Sequence, residues 1–514
     1  MSANKTYDMP QNSVIVVGAG HNGLVAANYL AKAGRKVLVL ERRDRAGGQL
    51  AGDVFDGAAY DPLHAGAQLR PDIVRDLDLA RHGLTLGAPA PYVSLLPDGR
   101  RLVLSTSDAN ATRESIRQFS ESDAKRWPEF VAFMDRAAAF LDAAYATPMP
   151  RLPHIGMKEG WPLAKLAWTL RKLGGKDMFR VIRMMSMSTV EFTEEWFESQ
   201  EVKAAIAAVG VHGFTLGSMS AGTGYTLMHN WLNRGGLAHR PIAGGSAKVA
   251  DALVAALKAN GGELRTSSGV QRILVERSRA VGVQLENGEA IRATNVFSAA
   301  DPRSTLLGLV GAPELPTEFV WHVQSIKMRG SVAKVHLRTD GSHGLPAGTL
   351  ALAPTLKDIE RAYDAAKYGE IAQRPYLEVT TSGATNGGDV VSIHMQSAPY
   401  KLRGAEWSDA RAIVERIATD TLAEQFPSLE ASIRSVRTIT PADLERDWSL
   451  TEGDLNHGQL ILDQMFFMRP LPGWSNHATP IDALHLCGSG VHGGAGISGA
   501  AGRNAARQVL AAKG

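Results

Sequence analysis

An α/β fold is predicted, in which a parallel-sheet domain is assembled discontinuously from both ends and the middle of the chain, with an α+β domain inserted into it. Three observations predict it. The β-branched run Val14–Val17 leads into glycines, a helix-forming stretch and a second apolar run at Val37–Leu40. The 52 glycines cluster at the two ends and in the middle of the chain. Between these clusters lie a helix-rich stretch with frequent Trp and Met and a second group of strand-like runs.

The elements follow in order. Val14–Val17 has the pattern of a strand buried on both faces. Leu24–Ala33 reads as a helix closed by Gly34 as its C-terminal cap. Val37–Leu40 is a second buried strand, which completes a β-α-β unit of about 30 residues. From about Ser105 to Gly235 helices dominate, among them Glu129–Tyr145 and Trp161–Met187. Gly244-Gly245, a helix at Ala247–Asn260 and Gly261-Gly262 restore the glycine-rich character. Short strands are expected at Val270–Glu276, Ala280–Leu285 and Asn295–Ser298, with Asn287-Gly288 as a hairpin turn. Strand-like Ala333–Leu337, Tyr376–Thr381 and Val390–Gln396 precede a helix from about Ser408 to Gln425. Leu484–Leu510 reads as strand, glycine-rich turn and helix. The expected division places 1–104, 236–330 and 445–514 in the first domain and 105–235 and 331–444 in the second.

Composition excludes several classes. The 514 residues exceed one ordinary core. Lys+Arg number 55 against 52 Asp+Glu, a balance that argues against a nucleic-acid partner. The single cysteine, Cys487, excludes an internal disulfide, a Cys-x-x-Cys redox pair and a thiolate zinc cluster. It fits a reducing, cytoplasmic setting, and no metal site is read. Met1–Asn12 lacks the apolar run of a secretory signal, and no segment reaches the ~20 apolar residues of a membrane span.

Val14–Val17 runs into Gly18-Ala19-Gly20-His21-Asn22-Gly23, a G-x-G-x-x-G between a buried strand and a helix. Gly18 makes the tight turn, Gly20 lets a pyrophosphate approach the backbone, and Gly23 lets helix and strand close together. The helix N-terminus then faces the phosphates. Glu41 ends the second strand, where an acidic side chain accepts from a ribose hydroxyl. This is a Rossmann-type dinucleotide site. Gly47-Gly48, separated from Glu41 by five residues, suit a loop passing close to a long extended ligand such as FAD. Arg42, Arg43 and Arg45 between them face a pyrophosphate or water, and Glu41 would repel the extra phosphate of NADP. Far away, Gly488-Ser489-Gly490 and Gly493-Gly494-Ala495-Gly496-Ile497-Ser498-Gly499 precede a helix carrying Arg503 and Asn504. Such spacing brings backbone amides to something flat or anionic, or permits a tight helix crossing.

Together these blocks resemble the phytoene desaturase-like FAD oxidoreductases. Further motifs carry the resemblance: Leu69–Ile73 with His82-Gly83-Leu84, Gly222–Tyr225, Gly244–Ser246, Ser298–Pro302, Asn456–Gly458 with Leu462–Gln464, and Gly502–Asn504. They span nearly the whole chain. The resemblance implies a glutathione-reductase-like FAD domain with an inserted substrate domain. It implies FAD contacts from Val270 at the adenine and from Gly490–Ile497 near the flavin ring. The match around Tyr60–His64 is weaker.

A flavin performs hydride transfer itself, while the protein supplies binding, orientation and electrostatics. His64 and His492 are the candidate catalytic groups, with a structural role as the alternative for each. The favoured reading is a desaturase, dehydrogenase or isomerase acting on a lipophilic, polyene-like small molecule. An FAD amine oxidase-like enzyme stands second, a flavin-bearing interaction protein third, and an NAD-only dehydrogenase last. The electron acceptor stays open. Trp161–Met187 carries six basic residues against Asp177, with Leu163, Leu166, Ala167 and Leu170 at helical spacing. It reads as a membrane-surface helix, a solvated helix or a subunit contact in an oligomer.

Overall fold

The strand Ser13–Val17 lies at the centre of a five-stranded parallel sheet in the order Leu484–Leu486, Asn295–Ser298, Ser13–Val17, Lys36–Leu40, Glu263–Arg265. All five of its residues are buried, as the β-branched run requires between two covered faces. The computed structural model describes residues 6–64, 69–105, 107–150, 156–353, 355–381 and 388–511. One face of the sheet is covered by the helices His21–Lys32, Ala247–Ala259 and Ala500–Ala511, with Leu24, Leu30, Leu253, Leu257 and Val509 in the shared core. On the other face Ile15, Val17 and Leu38 meet Val283 and Ile291 of a four-stranded sheet. That sheet holds Val270–Glu276, Arg279–Leu285, Ala290–Arg292 and Thr6–Asp8, and Gly288 turns its hairpin at φ 87°.

The second sheet has seven strands among the described residues, in the order Ile433–Ile439, Val332–Thr339, Val390–Gln396, Leu377–Thr381, Gly348–Leu352, Tyr92–Leu95, Arg101–Leu104. Its last two strands correct the expected boundary at 104. Tyr92 pairs with Thr349, and Tyr92, Leu102 and Leu104 complete the core beneath the helix Glu121–Ala146, so this hairpin belongs to the inserted domain. Gly348–Leu352 and Ile433–Ile439 were not expected as strands. The first is short and opens on glycine. The second is an edge strand with Arg434 and Arg437 in its sequence.

Two helices also depart from expectation. Glu121–Ala146 begins earlier than the apolar periodicity suggests, because Ser120 caps it by accepting from Asp123 N at 3.1 Å. The expected helix Trp161–Met187 is two, Met157–Arg171 and Gly174–Ser186, divided where Gly174 adopts φ 80°. Gln200–Val211 and Thr223–Arg234 run through the middle of the helical core, buried almost throughout.

Candidate functional site

The first sheet delivers its glycine turn to a groove of about 470 Å³. The helix His21–Lys32 starts directly after Gly20, three residues before its expected start, so its unpaired N–H groups stand at the turn. Gly18 adopts φ 93°, and a Cβ on Gly23 would stand 2.2 Å from Gly18 O. Both therefore need glycine for the chain's own sake. Gly20 is different: a Cβ there would meet nothing among the described residues within 4 Å, because that side opens on the groove. Gly18, Gly20, Gly23, Glu41, Arg42, Gly48 and Val270 all line it. Gly47 does not line it, but its φ of 121° and its N–H bond to Ala19 O at 2.9 Å set the loop against the turn.

Glu41 is buried and accepts from Ala19 N at 2.8 Å and Arg43 N at 3.0 Å, one bond on each oxygen. Each oxygen keeps a lone pair for a hydroxyl donor. Arg42 donates to Ser449 Oγ. The Arg43 guanidinium lies 5.2 Å from the Trp448 ring, and its Nη1 is buried without a hydrogen-bond partner among the described residues. His457 Nδ1, also on the groove, is likewise unpartnered. A glycine edge free of neighbours, a helix N-terminus, an acid with spare lone pairs and orphaned polar atoms together fit a dinucleotide carrying a pyrophosphate.

The C-terminal glycines close the domain rather than the groove. Ser489 lines the groove and accepts from Asn22 Nδ2 at 3.0 Å, and Asn22 Oδ1 accepts from Gly502 N at 3.2 Å. The first glycine turn and the last helix are thus pinned together. A Cβ on Gly488 would stand 2.5 Å from Ala299 O, on Gly490 2.4 Å from Pro302 Cδ, and on Gly494 2.1 Å from Ser489 O. On Gly493 it would meet Tyr145 O at 2.9 Å, and on Gly496 Asn233 Nδ2 at 2.7 Å. The close approaches that require these five glycines are therefore made within the protein. Ile497 sits in the core beside Val25 and Leu69. His492 is not on the groove lining; it is buried, its Nε2 3.0 Å from Thr147 O, and burial pushes its pKa down to about 3. Cys487 is buried and its thiol is pushed up by burial, which makes it an inert packing residue.

His64 stands on a second, smaller chamber. Its Nε2–H donates to Gln49 Oε1 at 2.9 Å, while Gln49 itself lines the groove and donates to Leu455 O at 2.8 Å. The chamber therefore adjoins the groove through one hydrogen-bonded pair. Its floor is one face of the seven-stranded sheet. Lys334, His394 and Glu378 are direct partners across three adjacent strands, and His336, Ser392 and Thr380 form the neighbouring row. Lys334 Nζ donates to His394 Nδ1 at 3.0 Å, which leaves His394 Nε2–H to donate to Gln396 Oε1 at 3.0 Å. Arg234 holds Glu378 with two bonds of 2.8 and 3.3 Å, and Tyr376 donates to the same carboxylate at 2.8 Å. Burial opposes ionisation of Glu378, but Arg234 holds its carboxyl well below the usual range. Burial pushes His64, His212 and His394 down, so these imidazoles are neutral.

Of the residues on this chamber, His64 is named as a candidate from the sequence, and Lys334, His394 and Glu378 are not. A signal was present: in Val332–Thr339 and Val390–Gln396 the alternate positions carry Lys, His and Gln between Val and Ile. Period-2 alternation sends those side chains to one face. Only the strand register shows that the two faces are the same.

A family model described as "Flavin containing amine oxidoreductase" matches residues 23–510. Pyridine nucleotide-disulfide oxidoreductase domain-containing protein 2 of Rattus norvegicus is 31% identical, over 98% of this chain and 94% of its own. The lycopene-forming phytoene desaturase of a Paracoccus species is 24% identical over 97% of each. Among solved structures, a redesigned putrescine oxidase aligns with a TM-score of 0.60 at 18% identity, covering 99% of this chain and all of its own. With one cysteine, this chain has no dithiol of the kind the rat protein's name suggests.

Proposed function

Because the chain belongs to the flavin-containing amine oxidoreductase family and is thereby a flavin-dependent oxidoreductase, we propose that its flavin is FAD and that it is a desaturase, dehydrogenase or isomerase of the phytoene desaturase-like type. In this reading a hydride moves between an apolar, polyene-like small molecule and the flavin. The observation that carries FAD is Glu41: its spare lone pairs face the groove at the end of the second strand, where an adenosine ribose would donate. Bound FAD supplies the hydride chemistry. Gly20 and the helix N-terminus hold its pyrophosphate, Glu41 and Val270 its adenosine end, and Gln49, His457 and Ser489 line the remaining length.

The polyene-like substrate is supported by the likeness to a phytoene desaturase. It is favoured over an amine by the charge beside the groove: Lys334 has no ion pair among the described residues, and Glu378 is already held by Arg234. An ammonium group would meet an unpaired like charge there. The purified protein is expected to be yellow. Anaerobic mixing with a panel of polyenes should bleach it, while primary amines should leave the flavin oxidised. Bleaching by amines alone would overturn this reading in favour of an amine oxidase.

We propose further that the protein docks on anionic membrane surfaces, where such substrates reside. Trp161, Trp168, Phe179 and Ile182 are exposed by 75, 62, 64 and 48%. Lys165, Arg171 and Lys172 beside them form no ion pair among the described residues, whereas Lys176, Arg180 and Arg183 are paired with Glu129 or Glu195. Leu166 and Leu170, expected on the lipid face, turn inward onto the core instead. No helix of the described residues is long and apolar enough to cross a membrane. Aromatic tips with flanking cations suit an interfacial contact.

A further inference from the structure

The end of the helix Thr223–Arg234 meets the helices Ala109–Arg117 and Glu121–Ala146 around a separate cavity of about 370 Å³. That volume is at the small end of the roughly 300–1,000 Å³ of pockets that take small molecules. The cavity shares no lining residue with the groove or with the chamber beside it. Its inner wall is apolar and holds Leu104, Trp127, Trp231 and Leu237, all buried. Two charged side chains line it, Arg113 and Asp135, of opposite sign. They are not paired with each other, and neither is in an ion pair among the described residues. The Arg113 guanidinium makes no bond among those residues, and its Nε is buried without a partner, which is costly. Asp135 is exposed at the rim. Its Oδ1 accepts from Trp231 Nε1 at 2.9 Å, which fixes the carboxylate and leaves Oδ2 unbonded among the described residues. Trp231 stands one turn before Gly235 and Gly236, which end the helix on the same wall. The partial negative charge of a helix C-terminus therefore lies beside Asp135.

We propose that this cavity binds a small zwitterion with an aromatic body, of the class of the aromatic amino acids. Its carboxylate pairs with Arg113, its ammonium with Asp135 beside the helix C-terminus, and its ring lies against Trp127 and Trp231. A guanidinium offers a carboxylate two parallel N–H donors, and here these include the Nε–H that the protein leaves unbonded. Indole rings suit both an aromatic ring and a nearby cation. A simple acid would leave Asp135 without a partner, and a simple amine would leave Arg113 without one. Because the cavity and the groove have no residue in common, the zwitterion is held as a ligand and is not the molecule that reacts at the flavin.

The test is titration calorimetry on the flavin-bearing protein as purified, with phenylalanine, hydrocinnamate, phenethylammonium and glycine as probes. Phenylalanine should bind at a single site per chain and leave the flavin oxidised. Hydrocinnamate lacks the ammonium and phenethylammonium lacks the carboxylate, so each should bind roughly tenfold more weakly or worse. Glycine, without the ring, should not bind. Arg113→Gln should weaken phenylalanine and hydrocinnamate and spare phenethylammonium. Asp135→Asn keeps the acceptor for Trp231; it should weaken phenylalanine and phenethylammonium and spare hydrocinnamate. Flavin content should stay at the parent level in both variants. The probe series on the unmutated protein decides the matter if a variant fails to fold. No binding of phenylalanine, hydrocinnamate as tight as phenylalanine, or phenylalanine affinity unchanged in either variant would overturn the proposal. So would phenylalanine that bleaches the flavin, which places the probe in the groove. The inference is independent of the polyene reading. A protein bleached by polyenes but indifferent to phenylalanine loses this site alone, and one that binds phenylalanine but is not bleached by polyenes loses only that reading.

Discussion

At the residue scale, the two glycine clusters divide by what stands opposite a missing Cβ. Glu41→Ala removes an acceptor used by two backbone amides and proposed for a ribose hydroxyl. A loss of about 1–3 kcal/mol follows, read as roughly 5- to 150-fold weaker flavin retention on equilibrium dialysis. Retention equal to the parent would remove Glu41 from the ribose. Gly494→Val is expected to act on the fold itself, because the nearest obstacle is Ser489 O at 2.1 Å; thermal melting of the flavin-free protein should fall, and an unchanged melt would contradict this. His492→Ala loses one buried bond to Thr147 O, worth about 0.5–1.5 kcal/mol. Its flavin content should stay at the parent level. The glycine motif and Glu41 were legible in sequence because they act within one β-α-β unit. Lys334, Glu378 and His394 were not, because their meeting depends on strand register across 60 residues of chain.

At the scale of elements, strands buried on both faces read clearly: the apolar runs at Val14–Val17 and Val37–Leu40 each missed only the first residue of their strands. Elements stabilised by distant partners read poorly. Tyr92–Leu95 and Arg101–Leu104 joined the far sheet because Thr349–Ala351 offered a free edge, which no local pattern announces. The paired helices Met157–Arg171 and Gly174–Ser186 show the same limit: a periodic stretch was legible, but the break at Gly174 and the inward turn of Leu166 and Leu170 follow from the core they meet. The exposed aromatics left over carry a prediction. Co-sedimentation with anionic vesicles should exceed that with neutral ones and fall as salt rises. Trp168→Ala with Phe179→Ala should reduce it severalfold. Equal binding to both vesicle types, or none, would contradict membrane docking.

At the scale of the whole molecule, the groove exists only when three distant stretches of chain are folded together. Ser13–Val17 supplies the glycine turn, Val270 the far wall, and Ser489 the link through Asn22 to the last helix. A ligand that binds this assembled groove and not the unfolded chain stabilises the whole by linkage, about 2.7 kcal/mol at a hundred times Kd. Adding FAD to flavin-stripped protein should therefore raise the melting temperature in a concentration-dependent way, and NAD should not. The discontinuity itself was legible, because the glycines cluster where the chain re-enters the domain.

The central claim is that this groove holds FAD on the open side of Gly20, and one measurement tests it most directly: the FAD released by heat per chain, in the parent protein and in Gly20→Val. The Gly20 backbone is extended and a Cβ there meets no atom of the described residues within 4 Å, so a side chain starts in the groove without a clash at its Cβ. About one FAD per chain is expected in the parent and little or none in Gly20→Val, with the same circular dichroism in both. Full FAD content in Gly20→Val, or no FAD in the parent after reconstitution, would contradict the account.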